Sequence, residues 1–419
     1  MRKLLATLAV AVTATAALAG CSTSSSSTDS NGHIDLTFWH GYTEADGKVL
    51  DGIVDDYNKS QDKVTIKTQV KTWDVIDDTL LTALSANKGP QIVAMPAERL
   101  PVYASKKALV NLDDFYADDK NAAEISEQAA AMETVDGAKY GVPTGFVPLS
   151  VFYNKALFEA AGVTEFPETW DEWVDAAKKL TVDQDGDGTP EQYGLALADH
   201  ATVGNGVWPS LFAGNGGEIV DDSKSVIDSP ENVETLEYWS KALNDDKISP
   251  TGLDGVATDK LFSSGKAAMT IGGPWMASVS TENKIDYGIA AIPAGPVAQA
   301  SSGIGVSMAV TAQASTEEQK AAQDFFSYFF SKDVATEWSL GSGWPPLRTD
   351  VAAADVSSNP VVASLTDISS TTKALLPGVI NSTDVLSAMD EATQKAMAGG
   401  DPKELLGSAS TAIEKALKD

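Results

Sequence analysis

The chain of 419 residues carries 59 acidic against 30 basic side chains and three histidines, for a formal net charge of −29. A field of that sign repels phosphate backbones, which excludes nucleic acid as a partner. A single cysteine leaves no disulfide framework and no Cys/His metal cluster.

Arg2 and Lys3 precede an apolar run from Leu4 to Ala19, the make-up of a secretory signal over residues 1–20. The run is shorter than the roughly 20 apolar residues that span a bilayer. It ends in "LAGC", Leu18–Cys21, which resembles the bacterial lipobox, in which the cysteine is lipidated and becomes the first mature residue. Cys21 is therefore expected to carry lipid that holds the protein extracytoplasmically, at the outer face of the cytoplasmic membrane. Ser-rich residues 21–33 read as a solvated tether, and loss of Arg2 and Lys3 takes the net charge from −29 to −31.

From Ile34 onward strand and helix patterns take turns. "HIDLTFWHG" reads as a strand entering a turn, and "GKVLDGIVDDYNKSQ" carries Val49, Leu50, Ile53, Val54 and Tyr57 at helical spacing. "KVTIKTQV" alternates as a strand, "DVIDDTLLTALSANKG" reads as a helix stopped at Gly89, and "PQIVAMP" as a short buried strand before a helix through Arg99 to Lys107. That order predicts a three-layer α/β lobe. After "YGVPTGFVPLSVFYN" the pattern turns helical through "TWDEWVDAAKKL" and "PENVETLEYWSKAL", becomes extended at "DYGIAAIPAGP", and ends mostly helical. The mature chain exceeds the about 250–300 residues that one core organises, so two lobes built from discontinuous segments are expected: 34–143 plus about 294–330, and 144–293 plus about 331–419.

The stretches "LTFWHG", "DGAKYGVPTGFVPLSVFYNKALFEAAGV", "FPETWDEWVDAAKKLT", "DQDGDGTPEQYGL", "LFSSGKAAMTIGGPWM", "YGIAAIPAGP" and "GSGWPPLR" follow one another across nearly the whole mature chain. In that succession the chain resembles the extracellular solute-binding proteins of bacterial ABC importers, specifically the carbohydrate-binding family 1 that includes maltose-binding protein. The resemblance implies the α/β, two-lobed periplasmic-binding-protein-like fold of type II, each lobe a sheet flanked by helices. It further implies an oligosaccharide held in the interlobe cleft, hinge closure, delivery to the permease subunits of an ABC transporter, and action as a monomer with no required cofactor.

Trp170, Trp173, Trp239 and Trp338 lie in amphipathic helix patterns and read as core. Trp39, Trp208, Trp275 and Trp344 lie in Gly- or Pro-bearing contexts that read as loops, where a flat indole can stack on a pyranose while its N–H donates. For each the alternative is local packing. His40 and Tyr42, on the turn after the first strand, are candidate polar partners or surface turn residues. Glu98 is a candidate acceptor of sugar hydroxyls or a carboxylate of the next helix's first turn, and Phe146 is cleft wall or hinge packing. Asp199 and His200 form a weaker candidate pair, while Tyr153 and Asn154 read as structural.

"DQDGDGTPEQYG" matches the first half of an EF-hand loop, with carboxylates at alternate positions before a glycine. Its twelfth position is Gly194, not Glu. The loop is therefore either an Asx-turn connection or a structural Ca²⁺ site formed by Asp183, Asp185, Asp187, the Thr189 carbonyl and Glu191. A secreted adhesin or sensor and a glycoside hydrolase remain as alternatives. The hydrolase needs a spaced carboxylate pair that 59 acids supply too freely to be diagnostic. No Gly-x-Ser-x-Gly elbow or His-Glu-x-x-His helix is present, and a binding protein rather than an enzyme is expected.

Overall fold

Alternation along "IDLTFWH" decides the first strand: Leu36, Phe38 and His40 point to one face, Trp39 to the other, and all four are buried. The computed structural model describes residues 32–418 apart from 44, 201–203, 222, 369–370 and 377. The signal, most of the tether and Cys21 lie outside the described residues. In chain order the first elements are β1 (Ile34–His40), α1 (Ala45–Ser60), β2 (Val64–Val70), α2 (Trp73–Ser85), β3 (Ile92–Pro96) and α3 (Leu100–Ser105). β4 (Val142–Pro148) and β5 (Ser150–Asn154) are separated by Leu149 alone. α4 (Trp170–Leu180) starts at a capping box in which Thr169 and Glu172 satisfy each other's backbone N–H groups. It is followed by α5 (Gly204–Gly214), α6 (Pro230–Asn244), β6 (Met269–Gly272), α7 (Trp275–Glu282), β7 (Tyr287–Ala291) and β8 (Ser301–Val310). The chain ends with α8 (Thr316–Phe329), α9 (Lys332–Ser342), α10 (Pro360–Asp367), β9 (Thr372–Ala374), α11 (Ser382–Met397) and α12 (Pro402–Ala416).

Two sheets organise these elements. The first has the order β9-β8-β3-β1-β2, with β4 also paired to β8. Its β1 is parallel to β2 and β3, while β8 runs antiparallel to β3 and β4. The second has the order β6-β5-β7, antiparallel throughout. The chain passes from one sheet to the other at β4–β5 and returns at β7–β8. At this crossing Leu149 N–H donates to the Ser302 carbonyl (3.0 Å) and Ser301 Oγ to the Leu149 carbonyl (2.7 Å).

One face of the first sheet is covered by α1, through Leu50, Ile53, Val54 and Tyr57, and by Phe325, Phe326 and Phe329 of α8. The other face packs Trp39, Val93 and Met95 against Ile76 and Leu80 of α2 and Leu100 and Tyr103 of α3. A separate core gathers Val151, Trp170, Trp173, Trp208, Trp239 and Met389 around the second sheet. The four helix-pattern tryptophans are indeed buried.

At the C-terminal end the helices divide between the two cores. Val334 and Trp338 of α9, Trp344, and Val361 and Leu365 of α10 are buried in the cluster that holds the first sheet's α1 and α8 residues, and the same cluster takes in Phe152 of β5 and Met276 of α7. Only α11 and α12 join the second core. All these helices are amphipathic, and an apolar stripe does not state which sheet it will cover.

Candidate functional site

The crossing strands set the geometry of the seam between the sheets. Glycines on them let aromatic rings lie against backbone: a Cβ on Gly145 of β4 would sit 2.2 Å from the Trp344 ring, and one on Gly303 of β8 2.3 Å from that of Phe146. Beside Gly145, the Thr144 carbonyl accepts from Trp338 Nε1–H (2.7 Å), and its hydroxyl lies 2.5 Å from the Tyr42 hydroxyl and 3.1 Å from the Val306 carbonyl. Tyr42 meets the edges of Trp73 and Trp338 at centroid distances of 5.3 and 5.5 Å. The result is an aromatic wall on the first lobe.

The predicted residues divide by what that packing leaves accessible. Trp275 opens α7 at the C-terminal end of β6. It is half-buried and packs against both the first and the second core. A Cβ on Gly273 would come within 2.2 Å of its ring, so the indole lies flat on that glycine. Trp344 and Tyr42 are buried within the wall, and burial pushes the Tyr42 phenol well up. His40 is fully buried between the rings of Phe38 and Tyr42; its Nε2 is 3.8 Å from the Asp51 carboxylate, and desolvation holds its pKa below the ordinary value. It is the last residue of β1 and buried, not a surface turn histidine.

Glu98 follows β3 in a short 3-10 turn where the lobes meet. Its backbone carbonyl accepts from Ser382 Oγ at the start of α11. Next to it, Arg99 donates to Thr383 Oγ1 (2.6 Å) and pairs with Asp77 (3.1 Å). The Glu98 carboxyl, with a pKa raised chiefly by burial, borders a small pocket shared with Gly303 and Gly305. Phe146, half-buried on Gly303, stands at the same crossing. Asp199 is buried, accepts from Gly252 N–H and lies 2.6 Å from His200 Nδ1. Tyr153 packs on Phe158 and Phe166, and Asn154 caps the helix after β5.

Two expectations about loop tryptophans are corrected. Trp208 sits inside α5, fully buried, with its Nε1–H on the Ala198 carbonyl (3.2 Å); the glycines and Pro209 around it are helical rather than loop residues. Trp39 is a strand residue on the face opposite His40. It is held by Gln69 Oε1 (2.9 Å), with the Lys71 ammonium 4.4 Å over the ring. Neither indole has a free face.

The sequence reading missed Trp73. This half-buried indole begins α2 directly beyond β2 and lies on Gly41, where a Cβ would approach it within 2.2 Å. The available signal was an aromatic residue just past a strand's C-terminal end. Of the nine tryptophans, Trp73 and Trp275 alone are half-exposed and the other seven are buried.

The Asp-rich loop is exposed and away from the seam's cores. Oxygens of Asp183, Asp185 and Asp187 lie within 4.8 Å of one another. Asp183 accepts from Gly186 and Gly188 N–H (2.8 and 2.9 Å), Asp187 from Thr189 N–H (2.7 Å), and Glu191 from Gln184 N–H (2.7 Å). Lys247 donates to the Gly188 carbonyl (2.7 Å). An all-oxygen, anionic donor set fits a hard cation such as Ca²⁺, with Asx turns already holding the backbone.

A family profile described as bacterial extracellular solute-binding protein matches residues 52–364. A binding protein of Brucella abortus is 26% identical over 321 residues, covering 75% of this chain and 76% of its own length. The diacetylchitobiose-binding protein DasA of Streptomyces coelicolor is 28% identical, covering 65% of this chain and 64% of its own. Among solved structures, the maltose/maltodextrin-binding domain MalE from Bdellovibrio bacteriovorus, bound to maltotriose, superposes with a TM-score of 0.81 at 21% identity. It covers 92% of this chain and 100% of that one, a likeness that establishes the two-lobed α/β fold.

Proposed function

The chain belongs to the bacterial extracellular solute-binding proteins, and from that membership we propose that it is the substrate-binding component of an ABC sugar importer. It captures an oligosaccharide between its lobes and hands it to the permease by hinge closure, without turning it over. The observation that carries the reading is Trp275: a half-exposed indole, seated on Gly273 at the end of β6, that packs against both hydrophobic cores where they adjoin. A flat aromatic there can stack on a sugar ring and sense closure at once. Trp73 supplies a second accessible indole on the first lobe, and Glu98 and Phe146 the seam's polar and apolar flanks. Relatives named for galactooligosaccharide, diacetylchitobiose and maltotriose support a sugar of more than one ring.

A glycan array followed by calorimetry identifies the ligand, and Trp275→Ala then tests the site. Loss of a stacking platform should cost about 2 kcal/mol or more of binding, roughly thirtyfold in dissociation constant, with little change in Tm. A marked fall in Tm with intact affinity would make Trp275 a packing residue instead. Lipid on Cys21 is the proposed anchor. Cys21→Ala should release the protein from the membrane fraction while leaving sugar affinity unchanged, and retention of the variant would show another anchor.

A further inference from the structure

Of the three histidines, His40 alone is fully buried, and neither of its ring nitrogens has a hydrogen-bond partner among the described residues. Nε2 stands 3.8 Å from Oδ1 of Asp51 on α1, inside the reach of its charge and beyond a hydrogen bond. That oxygen already accepts from the Thr68 hydroxyl of β2 at 2.7 Å. Asp51 is the one charged side chain that acts on His40 among the described residues, and the Tyr42 backbone is its other polar neighbour. Asp46 and Glu133 act on Tyr42. Two routes lead from the His40 ring to Trp73. Along the chain the next residue is Gly41, on which the Trp73 indole lies. Across space the ring packs on Tyr42 at a centroid distance of 6.0 Å, and Tyr42 meets the edge of Trp73 at 5.3 Å.

We infer that His40 is a positioning residue for Trp73: its neutral ring keeps Gly41 and Tyr42 where they seat the indole, and a proton on it draws the ring toward Asp51 and unseats that platform. This role rests on the sugar-binding reading of Trp73. A buried imidazolium needs a counter-charge, and Asp51 is the one at hand, so a charged Nε2–H competes with Thr68 for Oδ1. Burial holds the His40 pKa below its ordinary 6.5, which places the change in acid. A sugar that needs the seated indole binds the neutral form. Its affinity is therefore full at neutral pH and falls as pH drops through the His40 value, and by linkage the bound sugar lowers that value further.

The test follows the His40 ring proton by NMR in the folded, sugar-free protein, beside the Trp73 indole N–H identified through Trp73→Phe. Both signals should titrate with one midpoint below 6.5. In His40→Phe, which fills the same space and cannot ionise, the Trp73 signal should stand still over that range. In Asp51→Asn the wild-type midpoint should move to lower pH, because the counter-charge is gone; the Asp51 side chain is half exposed and the amide keeps an acceptor for Thr68. Calorimetry with maltotriose should show affinity about fivefold or more weaker at about pH 5 than at about pH 7.5, a difference that His40→Phe should lose. A Trp73 signal that ignores the His40 titration, an Asp51→Asn midpoint equal to that of the wild type, or equal maltotriose affinity at both pH values would each overturn the assignment. Maltotriose that binds at neither pH would count against the saccharide reading, while the sugar-free titration still decides the role of His40.

Discussion

Glu133 shows what a single side chain does to this protein's pH response. Its carboxyl is fully buried in the first lobe, accepts from Ser307 Oγ (2.8 Å), and is pushed up to about 8 by desolvation. The folded state therefore keeps a proton that the unfolded chain, with an ordinary value of 4.5, gives up. Folding stability attributable to this group is complete below the unfolded value, falls by about 1.4 kcal/mol per pH unit as pH rises, and levels off above the folded one. Glu133→Gln keeps an acceptor for Ser307 and cannot ionise. It should flatten the Tm profile between about pH 5 and 8 and raise Tm at pH 8; a wild-type profile with no decline over that window would remove Glu133 as its cause.

At the scale of elements, the loop between α4 and Gly194 joins local order to an external ion. Asp183 alone closes two turns, through Gly186 and Gly188, both at positive φ, where glycine avoids strain. Three clustered, exposed carboxylates repel one another, and a bound Ca²⁺ would turn that repulsion into attraction. EDTA should lower Tm by a few degrees and added Ca²⁺ restore it, through the free energy of binding to the folded state. Superimposable melts in EDTA and Ca²⁺ would leave the loop as a plain Asx-turn connection. Sugar affinity should not change in either case, because the loop lies outside the seam.

For the whole molecule the decisive property is how the two lobes meet. They touch through polar pairs, Ser382 with Glu98, Arg99 with Thr383 and Ser302 with Ser210, through Pro274 beside Gly343, and through Phe152 and Met276, which are buried in the cluster that holds the first sheet's core. The hydrogen-bonded part of this seam is what a lobe movement exchanges for water at least cost, so the seam is the place where opening starts. A ligand that binds the closed arrangement better than the open one shifts the population toward it. Small-angle scattering should show a smaller radius of gyration at saturating oligosaccharide, and an unchanged radius at saturation would reject hinge closure for this protein.

Local pattern alone determined the alternating strands β1 to β3, the helical stripe of α1, and the burial of Trp170, Trp173, Trp239 and Trp338, because strand and helix periodicity state which side chains share a face. The ordered family motifs likewise determined membership and the two-lobed fold. Tertiary structure decided the rest. Gly and Pro around Trp208 resemble a loop, but α5 carries them as helix under the cover of α6 and α11, and the indole has no accessible face. Trp73 and Trp275 keep a face because each lies on a glycine at a strand's end, beside the seam rather than beneath a helix. α9 and α10 share a cluster with α1 and with Phe152 of β5, and Glu133 holds its proton, for the same reason: which surface covers a residue depends on elements far away in the chain, and periodicity reports only neighbours three or four positions apart.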